Sequence, residues 1–284
     1  MPDQVMDLVA RAAPYLARHG STSPRLDAEL LLAQALGCSR MDLYLQFERP
    51  VTSDQVDRYR ALCRRRAGGE PVAYIRGLRE FMTLTLVVTP AVMIPRPETE
   101  ILVEGALQRL EQPSAVDGKR QRRVLDVGTG SGAIALAIAA HCSDYQVVAT
   151  DVSSEALDVA RLNRERLDMQ DRVELRQADL VDGVEGPFDL VLANLPYIDP
   201  DWPDAVTAEV AGSEPGQALY GGRDGLELIG RLLPELPRLA PAGVAMLEFD
   251  ARQRDALLEW AAPIGRTSVL NDLAGLPRVL VVEL

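Results

Sequence analysis

Cysteine and histidine are scarce in this chain, three and two residues respectively, and neither type is arranged to do chemistry. Cys38, Cys63 and Cys142 are odd in number, far apart and without CxxC spacing, which argues against a zinc site or a disulfide framework and leaves free thiols. His19 and His141 are isolated, so no histidine-based triad can be assembled and no metal is expected. No apolar run approaches the ~20 residues that span a bilayer. Met1-Pro2-Asp3-Gln4 opens without the basic and apolar regions of a secretory signal, so a cytoplasmic chain with no membrane partner is expected. Internal repeats and low-complexity tracts are absent too.

What remains is an ordinary globular composition, 47% hydrophobic and 25% charged over 284 residues, enough for a large domain and a small one. The formal net charge of -12 repels a phosphate backbone, so direct DNA binding is not expected. That charge is uneven: residues 1–80 hold 12 Arg against 10 Asp plus Glu, which puts -14 on the rest. Arg58, Arg60, Arg64, Arg65 and Arg66 concentrate the positive charge. A solvated helix face is the simpler reading of them, and a docking surface for an acidic or RNA-bound partner the other.

Val5, Leu8, Val9, Ala12 and Leu16 recur at helical steps. Ser23 with Pro24 is placed to start a second helix that stops at Gly37, a third follows Ser39, and Thr52 with Gln55, or Ser53 alone, can open a fourth that ends at Gly68-Gly69. Residues 1–71 therefore read as a small helical bundle. Residues 72–90, with the alternation Thr83-Leu84-Thr85-Leu86, read as a β-hairpin linker, and residues 91–284 as the main domain. A helix through Ile101, Leu102, Leu107 and Leu110 and a polar loop, Ser114 to Arg123, come first there. Strand-like and helix-like segments then alternate from Val124 onward, which implies a mostly parallel sheet covered on both faces.

Val124-Leu125-Asp126-Val127-Gly128-Thr129-Gly130-Ser131-Gly132 is an apolar strand running into a glycine-rich turn and then a helix. Three glycines let the main chain approach a nucleotide-like ligand closely, but GxGxG in place of GxGxxG weakens a dinucleotide reading. Asp151 closes the next strand, where a carboxylate would accept both ribose hydroxyls. Asp179 and Leu180 follow the strand after that, placed to meet an adenine ring; a helix cap or turn is the equal alternative for Asp179. Asp126 either faces an amino group of the ligand or orients the loop backbone. Together these favour S-adenosylmethionine over NAD as cofactor, with S-adenosylhomocysteine as product.

Asn194-Leu195-Pro196-Tyr197 lies at the carboxyl end of a strand, where open α/β sheets bind ligands. An amide nitrogen is a poor nucleophile because its lone pair is delocalised, so it must be held and aimed. The Asn194 side-chain oxygen and the Leu195 carbonyl can accept the two N–H bonds of an NH2 group. Pro196 restricts Leu195 to extended angles, and Tyr197 offers an aromatic face to a planar group. No strong general base is evident.

The loop resembles the NPPY signature of amino methyltransferases, with Leu195 in place of the second-position proline. Along almost the whole chain the sequence is further similar to the HemK/PrmC family of peptide chain release factor glutamine N5-methyltransferases. The resemblance rests on Asp27 with Glu29-Leu30-Leu31-Leu32, Gly69 to Gly77, Glu80-Phe81, Ile94-Pro95-Arg96-Pro97-Glu98-Thr99-Glu100, Glu214-Pro215, Gly221-Gly222, Asp224-Gly225-Leu226 and Asp272-Leu273-Ala274-Gly275 with Arg278. It implies a Rossmann-like, seven-stranded methyltransferase domain and transfer to the glutamine of Gly-Gly-Gln in class 1 release factors. The helical domain would help to dock the factor, and a monomer is expected. Arg96, Pro97, Glu98 and Glu100 would face the substrate, against the alternative of hairpin-to-helix salt bridging for the charged three. A nucleic-acid adenine or guanine amino methyltransferase and a non-enzymatic adenosine-binding protein are the competing functions.

Overall fold

The computed structural model describes residues 3–111, 121–203 and 206–284. Much of the polar loop expected after Leu110 lies outside the described residues.

Two compact units divide the chain: Met1–Leu78 with Thr207–Ser213, and Arg79–Val206 with Glu214–Leu284. The first contains α1 (Val5–Arg18), α2 (Pro24–Leu36), α3 (Arg40–Leu45), α4 (Ser53–Ala67) and α5 (Val72–Arg76). Local chemistry sets their ends. Ser39 with Asp42 and Thr52 with Gln55 form reciprocal capping boxes, each satisfying backbone N–H groups that the first turn leaves unpaired. Gly37 closes α2 in the left-handed region at φ 66°. Ser23 precedes α2 as expected, but its side chain makes no cap hydrogen bond. Apolar residues of α1, α2 and α4, with Ile75 of α5, share one core.

The arginine run of α4 is largely neutralised within this unit. Arg58 pairs with Asp54, Arg60 with Asp57 and Arg65 with Glu70, while Arg66 is buried between Asp27 at 2.7 Å and Glu209 at 2.6 Å. Arg58, Arg60, Arg64 and Arg65 are exposed, whereas the buried Arg66 departs from the solvated-face reading.

The hairpin, β1 (Leu78–Phe81) and β2 (Leu84–Val87), is narrower than residues 72–90. Val72–Arg76 is helical because Pro71 supplies its N-terminal edge and Gly77, at φ 68°, its left-handed stop. Onward run α6 (Pro97–Leu110), β3 (Arg122–Val127), α7 (Ala133–His141), β4 (Tyr145–Asp151), α8 (Ser154–Arg166), β5 (Val173–Gln177) and β6 (Leu190–Ala193). Then come α9 (Ala208–Ser213, assigned to the first unit), α10 (Glu227–Leu232), α11 (Leu236–Leu239), β7 (Val244–Glu248), α12 (Arg254–Ala261), β8 (Arg266–Asn271) and β9 (Pro277–Glu283).

β3 to β9 form one seven-stranded sheet in the order β5-β4-β3-β6-β7-β9-β8. β9 is antiparallel to both β7 and β8, and the other pairs are parallel. Successive strand residues point to opposite faces, so Leu190 and Leu192 enter one core while Val191 and Ala193 enter the other. Each such leucine or valine contributes about 1.5–3 kcal/mol by leaving water. The chain runs from β3 outward through β4 and β5, then returns to the other side of β3 for β6. The carboxyl ends of β3, β4 and β6 therefore surround the crevice where strand order reverses, the place such sheets use for ligands.

Candidate active site

The crevice opens into a cavity of about 430 Å³ whose lining includes Gly128, Thr129, Gly130, Ser131, Asp151, Asp179, Leu180, Asn194, Leu195 and Pro196. Gly128, Gly130 and Gly132 all have positive φ, at 76°, 55° and 83°. The turn they make is tied to the next strand by Gly128 N–H and Thr129 N–H, both donating to the Thr150 carbonyl. A Cβ on Gly130 would meet nothing within 4 Å, whereas one on Gly128 would sit 2.9 Å from Leu195 Cδ2. The glycine loop and the Asn-Leu-Pro-Tyr loop thus touch through Leu195, whose side chain is buried. Gly132 starts α7 and does not line the cavity.

Asp151 ends β4 and holds the loop in register: Oδ2 accepts from Gly130 N–H at 2.8 Å and Oδ1 from Ser153 N–H at 3.0 Å. Burial raises its pKa. Each oxygen retains a further lone pair for a ligand hydroxyl. Asp126 stands behind the loop instead of lining the cavity, and Oδ2 accepts from the Thr129 hydroxyl at 2.6 Å and Ala135 N–H at 3.1 Å. Complete burial pushes its pKa up to about 7, and Oδ1 has no hydrogen-bond partner. Asp179 is exposed and pairs with Arg231 at 2.7 Å. Leu180, at φ 53°, offers its carbonyl to the Thr150 hydroxyl.

Of the segment Ile94 to Glu100, Pro95 and Thr99 reach the cavity, while Arg96, Pro97, Glu98 and Glu100 do not line it. Arg96 is ion-paired with the buried carboxylate of Glu214, and Glu100 accepts from Met82 N–H at 2.7 Å, which braces the hairpin. Pro97 and Glu98 are exposed at the start of α6. Neither contact is a hairpin-to-helix salt bridge: Arg96 pairs outside the hairpin, and Glu100 meets the hairpin through a backbone N–H.

Thr99 matters more than the sequence alone suggests. It is buried, and its Oγ1 accepts a hydrogen bond from Asn194 Nδ2 at 2.9 Å. Glu248, which ends β7, takes the Tyr197 hydroxyl at 3.1 Å on Oε1, while its buried Oε2 has no hydrogen-bond partner. Burial pushes Glu248 up to about 7, against the pull of the neighbouring Thr99 and Tyr197 hydroxyls and of Arg278. Tyr197 is raised by burial and by the Glu248 charge. From the other side Gln253 Nε2, buried, donates at 2.9 Å to the Tyr197 and Asp224 carbonyls. Gly221 and Gly225 let the following segment lie on the loop: a Cβ there would stand 2.2 Å from the Pro196 carbonyl oxygen and 1.9 Å from that of Tyr197.

Among the described residues, no group of three or more His, Cys, Asp and Glu side chains could hold a metal ion, and no helix is long and apolar enough to cross a membrane. The cysteines are free, and His19 and His141 bond to carbonyls of their own helix regions.

This topology, with its cavity at the switch point, is that of a Rossmann-like methyltransferase. Residues 105–211 match the methyltransferase small domain model. The fold is shared with a T. thermophilus 16S rRNA N2 G1207 methyltransferase at a TM-score of 0.52 and 21% identity, over 72% of this chain and 49% of that one. Residues 7–77 match the PrmC N-terminal domain. The release factor glutamine methyltransferase of Rhodopirellula baltica is 41% identical over 99% of this chain and 97% of its own. That of Koribacter versatilis is 40% identical over 95% of each. The chain belongs to the release factor glutamine methyltransferase family.

Proposed function

We propose that this protein transfers a methyl group from S-adenosylmethionine to the side-chain amide nitrogen, N5, of the glutamine in the Gly-Gly-Gln motif of class 1 peptide chain release factors, acting in the cytoplasm as a monomer. The observation that carries the reading is the Asn194 carboxamide, held at its NH2 end by Thr99 on the rim of a glycine-cornered cavity. Its oxygen is thereby left as an acceptor for a substrate N–H.

The cavity residues fit the cofactor. Gly130 offers open space where any side chain would intrude, Asp151 keeps acceptor capacity on both oxygens for the ribose hydroxyls, and the unpartnered Asp126 Oδ1 lies behind the same loop. Gly128, Thr129, Ser131 and Gly132 shape the turn, and Asp179 with Leu180 border the adenine end. S-adenosylmethionine supplies a methyl carbon already activated by the adjacent sulfonium charge. Asn194 Oδ1 and the Leu195 carbonyl take the two N–H bonds of the glutamine amide, which turns its nitrogen lone pair toward that carbon. When bound, S-adenosylmethionine would supply the methyl group for this nitrogen, sulfur keeping the C–S pair and one amide proton passing to water. Tyr197 does not line the cavity and acts by anchoring the loop, its hydroxyl on Glu248. Arg96 and Glu100 act indirectly by bracing the entry, with Pro97 and Glu98 exposed beside it.

The helical unit docks the factor in this reading. Leu26 of α2, Met41, Tyr44 and Leu45 of α3 and Phe47 beyond it are exposed apolar side chains, a composition suited to a protein partner. The acidic catalytic unit disfavours nucleic acid as acceptor. Incubation with methyl-labelled S-adenosylmethionine and purified release factor, beside duplex DNA and ribosomal RNA, is expected to label the factor alone. Label on a nucleic acid, or none on the factor at saturation, would contradict the proposal.

A further inference from the structure

The structure assigns Asn163 of α8 a positioning role for the cofactor: its one carboxamide joins the hairpin to the glycine-rich turn and so sets the spacing between two walls of the cavity. Asparagine is a poor helix-interior residue, and a buried amide is costly unless its hydrogen bonds are made. Asn163 is 1% exposed, and its bonds are made. Oδ1 accepts from Val87 N–H at 2.6 Å, while Nδ2 donates to the Val87 carbonyl and to the Ser131 carbonyl, both at 2.9 Å. All three partners are backbone groups with fixed donor or acceptor roles, so only one orientation of the carboxamide satisfies them.

Toward Val87 the side chain behaves as a further peptide group, exchanging N–H and C=O as paired residues of antiparallel strands do. Val87 is the last residue of β2, and Ala91, Val92 and Met93 shortly after it line the cavity. The link between them is stiff. Pro90 has a fixed φ, Ala91 N–H donates to Thr89 Oγ1 at 3.3 Å, and Val92 N–H donates to the Thr89 carbonyl at 3.1 Å. Ser131, between Gly130 and Gly132, lines the cavity as well. Asn163 does not, but Ala156, earlier on the same face of α8, does. α8 is thus the post to which both walls are tied. Alanine at position 163 would leave a buried N–H and two carbonyls without that partner. A carboxylate there could not donate to the carbonyls. The inference rests on the S-adenosylmethionine reading only for the identity of the ligand.

The test uses the full chain and its Asn163→Ala and Val159→Ala variants. Val159 lies one turn earlier on α8, is buried and does not line the cavity, so its truncation loosens packing without removing any of the three bonds. Both variants are expected to lower the urea midpoint. In calorimetry, Asn163→Ala is expected to bind S-adenosylhomocysteine about 10-fold more weakly than wild type, and Val159→Ala as wild type does. In methyl transfer to a release factor, Asn163→Ala raises KM for S-adenosylmethionine to match. Its kcat at saturating cofactor stays within about threefold, because Asn194 follows β6 and bonds to Thr99, outside this clip. Wild-type affinity in Asn163→Ala, or an equal loss in Val159→Ala, overturns the inference. Amide hydrogen exchange gives a readout independent of the ligand. Asn163→Ala is expected to lose protection at Val87 together with Thr129 and Gly132, whose N–H groups hold the glycine turn. Loss at Val87 alone overturns the inference. Joint loss in a protein that binds no S-adenosylhomocysteine supports the clip and counts against the cofactor reading instead.

Discussion

Gly225 carries the sharpest prediction about the catalytic loop. Its φ of 66° lies in the left-handed region, and a Cβ there would stand 1.9 Å from the Tyr197 carbonyl oxygen and 2.6 Å from Gln253 Nε2. An ordinary C···O contact is about 3.3 Å, so Gly225→Ala must push the Tyr197 carbonyl away by about 1.4 Å. The left-handed backbone costs the alanine about 1–2 kcal/mol. Opening the gap also weakens the two Gln253 bonds that join residues 197 and 224, at about 0.5–1.5 kcal/mol each. The total, about 2–5 kcal/mol, leaves a typical protein folded but much weakened. Because the displaced carbonyl sits three residues from Asn194, kcat is expected to fall about 100-fold. Urea unfolding gives the first quantity, and methyl transfer under folded conditions the second. A variant with the wild-type midpoint and turnover would refute the close-packing account of residues 197 and 225.

Gly130→Ala makes a useful contrast: with no atom within 4 Å of the added methyl, it is expected to cost only about 1–2 kcal/mol in urea unfolding. Calorimetry should nevertheless show S-adenosylmethionine binding weakened, because the methyl projects into the cavity. Asp151→Ala is expected to weaken cofactor binding about 10-fold or more, through lost charged hydrogen bonds and a loosened Gly130, whereas Asn194→Ala spares binding and abolishes turnover. Equal affinities in the two variants would break that division of roles. For Asp126 the sign follows from burial: its folded pKa near 7 exceeds the unfolded value of 3.8, so folding favours the neutral acid. The stabilisation this gives is complete below the unfolded pKa and is lost as pH rises through about 7. Asp126→Asn, which keeps an acceptor for Thr129 and Ala135, is therefore expected to gain in urea midpoint over wild type as pH is raised from about 5 to about 8. A gain that shrinks over that range would contradict the assignment.

The parts of the fold written in local chemistry were legible in the sequence. The Thr52–Gln55 capping box and the left-handed stop at Gly37 needed no tertiary information. β8 carries no sequence signal because it is a sheet-edge strand whose half-buried residues are interrupted by exposed Arg266, Ser268 and Asn271, leaving no apolar run. Val72–Arg76 falls inside the expected hairpin linker, although Pro71 and Gly77 bracket a single helical turn. In the site, the glycine loop, Asp151 and the catalytic loop could be found because each closes an apolar strand. Glu248 does the same after Val244-Ala245-Met246-Leu247 and carried that signal unread. Thr99 had none, since its partner lies 95 residues away and it passes for a first-turn helix residue. Charge proved the poorer guide around it: Arg96 and Glu100 are engaged with Glu214 and the Met82 N–H.

The central claim is that a protein glutamine nitrogen receives the methyl group. The most direct measurement uses 13C-methyl S-adenosylmethionine with a release factor labelled by 15N in its glutamine side chains, followed by heteronuclear NMR. One new N-methyl amide signal, coupled to 15N and absent when the Gly-Gly-Gln glutamine is replaced by alanine or when Asn194→Ala enzyme is used, is the predicted result. A 13C-methyl signal without 15N coupling, or one that survives loss of that glutamine, would contradict the account.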